Sequence, residues 1–184
     1  MRRFVTLFVL GAAFFIVACQ SQSETKPQAP PEPALRPTLT IKEIMKAVVE
    51  PSAQALWDSV ATNVTDKGSE NKVPQNDKEW AEVRRNGIAM VEAMNLVMME
   101  GRHLAPPGTK SDNPGSELEP DEMEKLIGAD RATFYKLAHG LQDAGPEALK
   151  AIEKKDTEAL SNAGGDIDAA CEACHTKYWY PNKK

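Results

Sequence analysis

The helical spacing of its apolar residues is the sequence feature that most constrains how this chain can fold. Apolar residues recur every three or four positions in four separate segments, which places them along one face of a helix in each segment. No segment shows the apolar–polar alternation and hairpin turns typical of paired strands. Aromatic residues make up only 6% of the chain. The sequence therefore predicts an all-α protein, an antiparallel up-down four-helix bundle with an aliphatic, methionine-rich core.

The first predicted helix, helix A, extends over residues 40–60. Its apolar stripe follows two threonines, Thr38 and Thr40, either of which can cap a helix N-terminus. Pro51 lies inside this pattern and has no backbone N–H to donate, so helix A is expected to bend there or to consist of two shorter pieces.

The other three predicted helices are separated by turn-forming residues. Helix B follows a polar, glycine-containing loop and ends near Gly101, and a loop rich in proline and glycine leads to helix C. Helix C is expected to break at Gly145–Pro146, after which a further helical piece follows. Asp156 then caps helix D, which carries the sequence "CEACH" at residues 171–175.

The N-terminus predicts export. Two arginines precede an uncharged apolar run, so residues 1–18 are interpreted as a signal peptide. The run ends in "IVAC", which resembles the lipobox of bacterial lipoproteins and implies lipidation of Cys19, with Gln20 favouring outer-membrane sorting. An ordinary signal peptide and an uncleaved anchor are the alternatives. Residues 19–37 then form a lipidated, proline-rich tether, and residues 38–184 form the helical domain.

Charge and cysteine content narrow the possible partners and chemistry. Without residues 1–18 the chain carries 20 basic and 27 acidic groups, a net charge of −7, which argues against a nucleic-acid partner. If Cys19 carries lipid, the cysteines of "CEACH" have no third thiol to pair with, so a disulfide network is excluded.

Three kinds of site use two thiols and an imidazole at this spacing: a zinc site, a thiol–disulfide redox site and a haem attachment site. Zinc needs four ligands, and no second paired motif is present. A redox pair belongs at the start of a helix, whereas this pair is expected late in helix D. For haem, Cys171 and Cys174 add across the two vinyl groups and His175 ligates iron, all three sharing one side of a helix at i, i+3 and i+4.

An exported four-helix bundle with "CEACH" in its last helix resembles the class II c-type cytochromes, the cytochrome c′ family and its low-spin relatives. The resemblance covers residues 38–180, and only "CEACH" is specific to the family. It implies one covalent haem c near one end of the bundle, with thioether bonds to Cys171 and Cys174 and His175 as the proximal iron ligand. It also implies that the domain could form a homodimer, as many relatives do.

The other axial position determines the function. By helical rise, Met45 lies about as far from the bundle end as His175, and Met94, Met98 and Met123 fall near that level, so geometry alone leaves the ligand open. The low-spin relatives place a methionine ligand in the first helix, which favours Met45, with Met94 as second choice. Two histidines are interpreted as surface residues, His103 in a loop and His139 near the far end of helix C.

Two functions remain. The preferred one is a periplasm-facing, lipid-anchored monohaem cytochrome that carries single electrons to or from unidentified redox partner proteins. The alternative is a high-spin protein that binds or senses a gas such as NO or CO at an open distal site. An enzyme is not expected, because the sequence contains no nucleophile–base pair, phosphate-binding loop or second metal cluster, and no residue is assigned as catalytic.

Overall fold

The computed structural model describes residues 35–181, so the predicted signal peptide, Cys19 and most of the tether lie outside the described residues. The elements, in chain order, are α1 (Ile41–Ile44), a π-helical turn (Met45–Val49), α2 (Glu50–Asp58), β1 (Thr62–Thr65), β2 (Gly68–Asn71), α3 (Asp77–Val97), α4 (Pro120–Ala129), α5 (Arg131–Lys154) and α6 (Thr157–Tyr178).

Short polar side chains begin the helices. Thr40 is the N-cap of α1 and forms a capping box, in which its side chain accepts from the backbone N–H of Glu43 and the Glu43 carboxylate accepts from the Thr40 N–H. Asn76, Asp130 and Asp156 cap α3, α5 and α6 in the same way, each accepting from the backbone three residues on. The predicted Asp156 cap is therefore confirmed, and Thr40 is the threonine that caps helix A.

Four long helical elements form the antiparallel up-down bundle that the sequence predicts: α1–π–α2, α3, α5 and α6. Neighbours in the bundle are α2 with α3, α3 with α5, α5 with α6, and α6 with α2. The core is mainly aliphatic and includes Leu56, Met90, Val97, Leu160 and Ile167, all almost fully buried. Trp80 also lies in this core.

The predicted break of helix C at Gly145–Pro146 is wrong. The chain breaks at Asp130 instead, between α4 and α5, and α5 continues through Pro146 to Lys154. Pro146 is exposed, so the carbonyl that it leaves without an N–H partner can bind water. Gly145 is buried against Val91 of α3, and this packing holds the helix straight where the local sequence predicts an end.

Two other elements differ from the sequence-based expectation. Residues 62–71, predicted as loop, form an antiparallel hairpin in which all strand residues are exposed. Because Val64 is the only large apolar residue in the two strands, the hairpin lacks the alternation that would reveal it. Helix B ends at Val97, four residues before Gly101, which adopts a positive φ of 75° in the following turn.

Helix A continues through Pro51 without a break. Its backbone stays helical from Ile41 to Asp58, but the turn that precedes Pro51 is a π-helix. The Glu50 N–H donates to the carbonyl of Met45, five residues back, so this turn contains one extra residue. Across residues 35–181 no helix is both long enough and apolar enough to span a membrane.

Candidate haem site

The "CEACH" motif occupies the last two turns of α6, as predicted. Cys171, Cys174 and His175 are half-buried, and both cysteine side chains pack against the hydrophobic core. The two thiols are free rather than joined in a disulfide. Positions i, i+3 and i+4 of a helix lie on one side, so two thiols and one imidazole are presented together toward the bundle.

The electrostatics of the motif keep all three groups neutral. Burial raises the pKa of Cys171 to about 11, with added effects from Asp168 and Glu172, and burial next to Cys171 raises that of Cys174 to about 11. Burial lowers the pKa of His175, although Glu172 opposes the shift. Reactive or zinc-binding cysteines instead need the thiolate form. The site therefore has the wrong electrostatics for redox exchange, while a neutral imidazole is the form that ligates iron.

Aromatic side chains cover the imidazole. The ring of His175 makes edge-to-face contacts with Trp179 at 5.2 Å and with Tyr180 at 6.1 Å between ring centroids. The Tyr180 hydroxyl donates to the Glu172 carboxylate at 2.6 Å, and this bond connects the segment after α6 to the helix itself. The Trp179 carbonyl accepts from the Leu118 N–H at 2.9 Å, so the loop before α4 is hydrogen-bonded to the segment that carries these aromatic residues.

Helix A and α6 touch at one level and separate at another. The Trp57 indole N–H donates to the Gly164 carbonyl at 3.0 Å, and a Cβ added at Gly164 would lie 3.1 Å from the Trp57 ring. Nearer the end of the bundle, every Cα of residues 41–49 lies more than 8 Å from every Cα of α6. The two helices therefore diverge toward the end that carries "CEACH".

This contact sets the register of the two antiparallel helices. Met45 lies twelve residues before Trp57, and His175 lies eleven residues after Gly164. At about 1.5 Å of rise per residue both residues are displaced by roughly 17 Å in the same direction. Met45, which is half-buried and packs against the core, is therefore level with His175 across the gap.

The other methionines and histidines considered in the sequence analysis differ in their burial and in the element that carries them. Met94 is buried in the core on α3, with Met98 and Met123 half-buried beside the core. His103 is exposed in the loop before α4 and pairs with Glu124 at 2.8 Å, as a surface histidine should. His139 is exposed on α5, but it lies one residue before Gly140, which faces Ala170 of α6.

His139 is thus not at the far end of its helix, because α5 begins at Arg131 rather than near residue 120. It remains a surface residue, and its Nδ1 lies 2.8 Å from the Gln142 amide oxygen.

The residues present fit a haem. Its attachment requires two reduced thiols and an imidazole on one helical face, and α6 provides them, while α6 and residues 41–49 lie farther apart at the same level. A separate cavity of about 300 Å³, bordered by Ile41, Leu104 and Ile127 among others, has neither Met45 nor any residue of α6 in its lining. Within residues 35–181 no three His, Cys, Asp or Glu side chains cluster in a way that could hold a metal ion by themselves.

Sequence reasoning missed Gly164 and the role of the π-helical turn. Gly164 lets helix A approach α6, and its only sequence signal is the unusual Gly164–Gly165 pair inside a predicted helix. The π-helical turn has no such signal, because Ile44, Met45, Val48 and Val49 keep helical spacing in the sequence, and the five-residue interval between buried Ile44 and Val49 appears only in the structure.

A thiol pair and an adjacent imidazole on the last helix of a four-helix bundle define the class II c-type cytochromes. The Cytochrome C' family matches residues 54–179, more than half of the chain. The chain belongs to the cytochrome c′ family. Its cofactor is accordingly a covalently attached haem c, and the proteins of this family are periplasmic.

Solved structures with a related fold include a nitric oxide complex of a leucine-to-isoleucine variant of cytochrome c prime from Alcaligenes xylosoxidans. It is 20% identical, with a TM-score of 0.46, and the match covers 76% of this chain and 95% of that one. Another structure named cytochrome c′ is 21% identical, with a TM-score of 0.46, and the match covers 76% of this chain and 96% of that one. The comparison with curated proteins gives no significant match.

Proposed function

We propose that this chain is a monohaem cytochrome that carries single electrons. Haem c is attached through Cys171 and Cys174, with His175 as the proximal iron ligand. Three properties of α6 support these roles: the groups share one helical face, they are half-buried, and burial lowers the pKa of His175, which favours the neutral imidazole that ligates iron. When bound, haem c supplies an iron centre that gains or loses one electron.

Met45 is the sixth ligand in this proposal, and the register between helix A and α6 is the observation that carries it. The Trp57–Gly164 hydrogen bond puts Met45 level with His175 on the opposite side of a gap. A thioether is a soft ligand suited to haem iron, and methionine ligation raises the reduction potential. If His175 and Met45 both bound the iron, no ligand position would remain for a substrate, and the haem would serve one-electron transfer.

Absorption spectra of the holoprotein test this assignment. We expect low-spin ferric protein with the weak far-red sulfur-to-iron band, and ferrous protein that binds carbon monoxide slowly or not at all. Met45→Ala should abolish the band and open the site. Met94→Ala is the matched control, because Met94 is a core methionine on α3 and its loss should leave the band in place.

Gas binding at an open distal site is the second candidate function. Cytochromes c′ bind gases such as nitric oxide, and the family match starts at residue 54, so it does not include Met45. If the wild-type protein is high-spin and binds carbon monoxide readily, the result supports gas binding and contradicts electron transfer. If Met94→Ala instead removes the far-red band, the electron-transfer function stands with Met94 as ligand.

The proposal extends to location and partners. Residues 1–18 direct export, Cys19 carries lipid, and the tether of residues 19–37 holds the domain of residues 38–184 at a periplasmic membrane face, with the outer membrane favoured. The acidic domain exchanges electrons with redox proteins and does not bind nucleic acid. A homodimer is compatible with this arrangement.

A further inference from the structure

The π-helical turn of helix A lies where the proposed iron ligand is. It starts at Met45 and ends at Val49, two residues before Pro51. The Met45 N–H still bonds normally, to the carbonyls of Ile41 and Lys42, whereas the Met45 carbonyl accepts from Glu50. The extra residue is therefore inserted immediately after the candidate ligand.

The insertion decides which residues of helix A face the core. Ile44 and Val49 are both buried although five positions separate them. In an α-helix, at about 100° per residue, two such residues would lie roughly 140° apart and could not share one face. The π-helical turn takes up the additional residue, so Ile41 and Ile44 remain on the same face as Val49 and Leu56.

Met45 depends on the same turn. The buried residues of α2 hold that helix in place. A regular α-helix over residues 45–49 would therefore rotate the Met45 side chain about the helix axis. The rotation would be a large part of the roughly 100° that separates neighbouring residues in an α-helix. It would also move Met45 along the helix axis, because a π-helical turn rises less per residue. A ligand must reach iron within a narrow geometry, so a displacement of this size disconnects it.

Pro51 gives a local physical reason for the turn. It has no N–H, and in an α-helix its ring would press on the carbonyl of Ala47, four residues back. The lengthened turn relieves this conflict by letting the preceding N–H, that of Glu50, reach five residues back. Pro146 is also exposed within a helix, but α5 remains regular there and shows no five-residue spacing of buried positions.

We propose that Pro51 is a positioning residue for the sixth iron ligand: with the five-residue spacing from Ile44 to Val49, it holds the π-helical turn that directs Met45 toward the gap facing His175. This inference rests on the proposed ligation by Met45. Pro51 itself touches neither the gap nor the proposed cofactor site, since its ring is exposed on the outer side of the helix.

Three holoprotein variants test the proposal. Pro51→Ala restores the missing N–H and favours a regular α-helix, so we expect loss of the far-red band, high-spin ferric iron and rapid carbon monoxide binding. Pro146→Ala is the matched control and should keep the wild-type spectrum. Deletion of exposed Ala47 in the Pro51→Ala background should restore the band, because four-residue spacing brings Ile44, Met45 and Val49 into nearly native directions in a regular helix.

Hydrogen exchange of residues 45–52 provides a readout independent of the haem spectrum. Regular α-helical bonding should slow exchange there in Pro51→Ala and in the double variant. A wild-type band in Pro51→Ala overturns the proposal, while the separate loss of that band in Met45→Ala would still support Met45 as ligand. Absence of the band from wild type overturns both. If Pro51→Ala gives no folded holoprotein, the double variant decides: a wild-type band supports the positioning role, and a missing band refutes it.

Discussion

The indole N–H of Trp57 donates to the backbone carbonyl of Gly164 at 3.0 Å, and this bond fixes the register of helix A against α6. Gly164 is buried under the indole ring, and the hydrogen bond and the close approach depend on each other, since a side chain at position 164 would push the ring away. The level of Met45 relative to His175 follows from this one contact.

A glycine pair in α6 allows a matched test of that contact. Gly165→Ala meets no atom within 4 Å and should stabilise the protein by up to about 1 kcal/mol through helix propensity. Gly164→Ala places a Cβ 3.1 Å from the Trp57 ring, so it should be less stable than Gly165→Ala by about 1–2 kcal/mol. Urea unfolding measures both, and equal stability of the two variants would contradict the proposed register contact.

The crossing of α3 and α5 makes a second stability prediction. A Cβ at Gly145 would overlap Val91, only 2.1 Å from Cγ2, and Val91 is β-branched and cannot easily move aside. Gly145→Ala should therefore destabilise the protein by about 1–3 kcal/mol, with added strain because the residue precedes a proline. Gly140→Ala, whose Cβ meets Ala170 at an ordinary 4.0 Å, is the control and should be tolerated.

Covalent attachment predicts how haem behaves on extraction. Wild-type protein made in cells with a periplasmic haem-ligation system should keep its colour after acid–acetone extraction and denaturing electrophoresis. Cys171→Ala and Cys174→Ala should each retain at most one thioether, and the double variant should lose all its haem. Cys19→Ser leaves the motif intact and should keep covalent haem. Extraction of haem from folded wild-type protein would contradict attachment through this motif.

Lipidation predicts where the protein fractionates. Cys19→Ser should move the domain from membranes to the soluble periplasmic fraction, because the proposed lipid attachment site is lost. Cys171→Ala is the control and should remain with the membrane. Gln20→Asp should shift the protein toward the inner membrane. A Cys19→Ser protein that still fractionates with membranes would remove the lipid anchor from the proposed function.

Local physical chemistry made much of this protein predictable from its sequence. Apolar spacing and the Asp156 cap define helices whose hydrogen bonds close within a few residues. "CEACH" behaves similarly: once α6 is helical, spacing alone brings Cys171, Cys174 and His175 to one face. The motif could therefore be recognised without knowing how the helices pack.

Tertiary packing decided the rest, because it outweighs local preferences that point elsewhere. Gly145–Pro146 predicts a helix end, yet burial of Gly145 against Val91 carries α5 past it. Pro51 predicts a bend or a division of helix A, whereas the backbone stays helical through a π-helical turn that leaves Ile44 and Val49 both buried. The register of Trp57 on Gly164 joins residues 107 positions apart in the chain. No local pattern encodes such a contact: helical rise places Met45 and His175 at similar distances from the bundle end, and the folded bundle fixes the register between their helices.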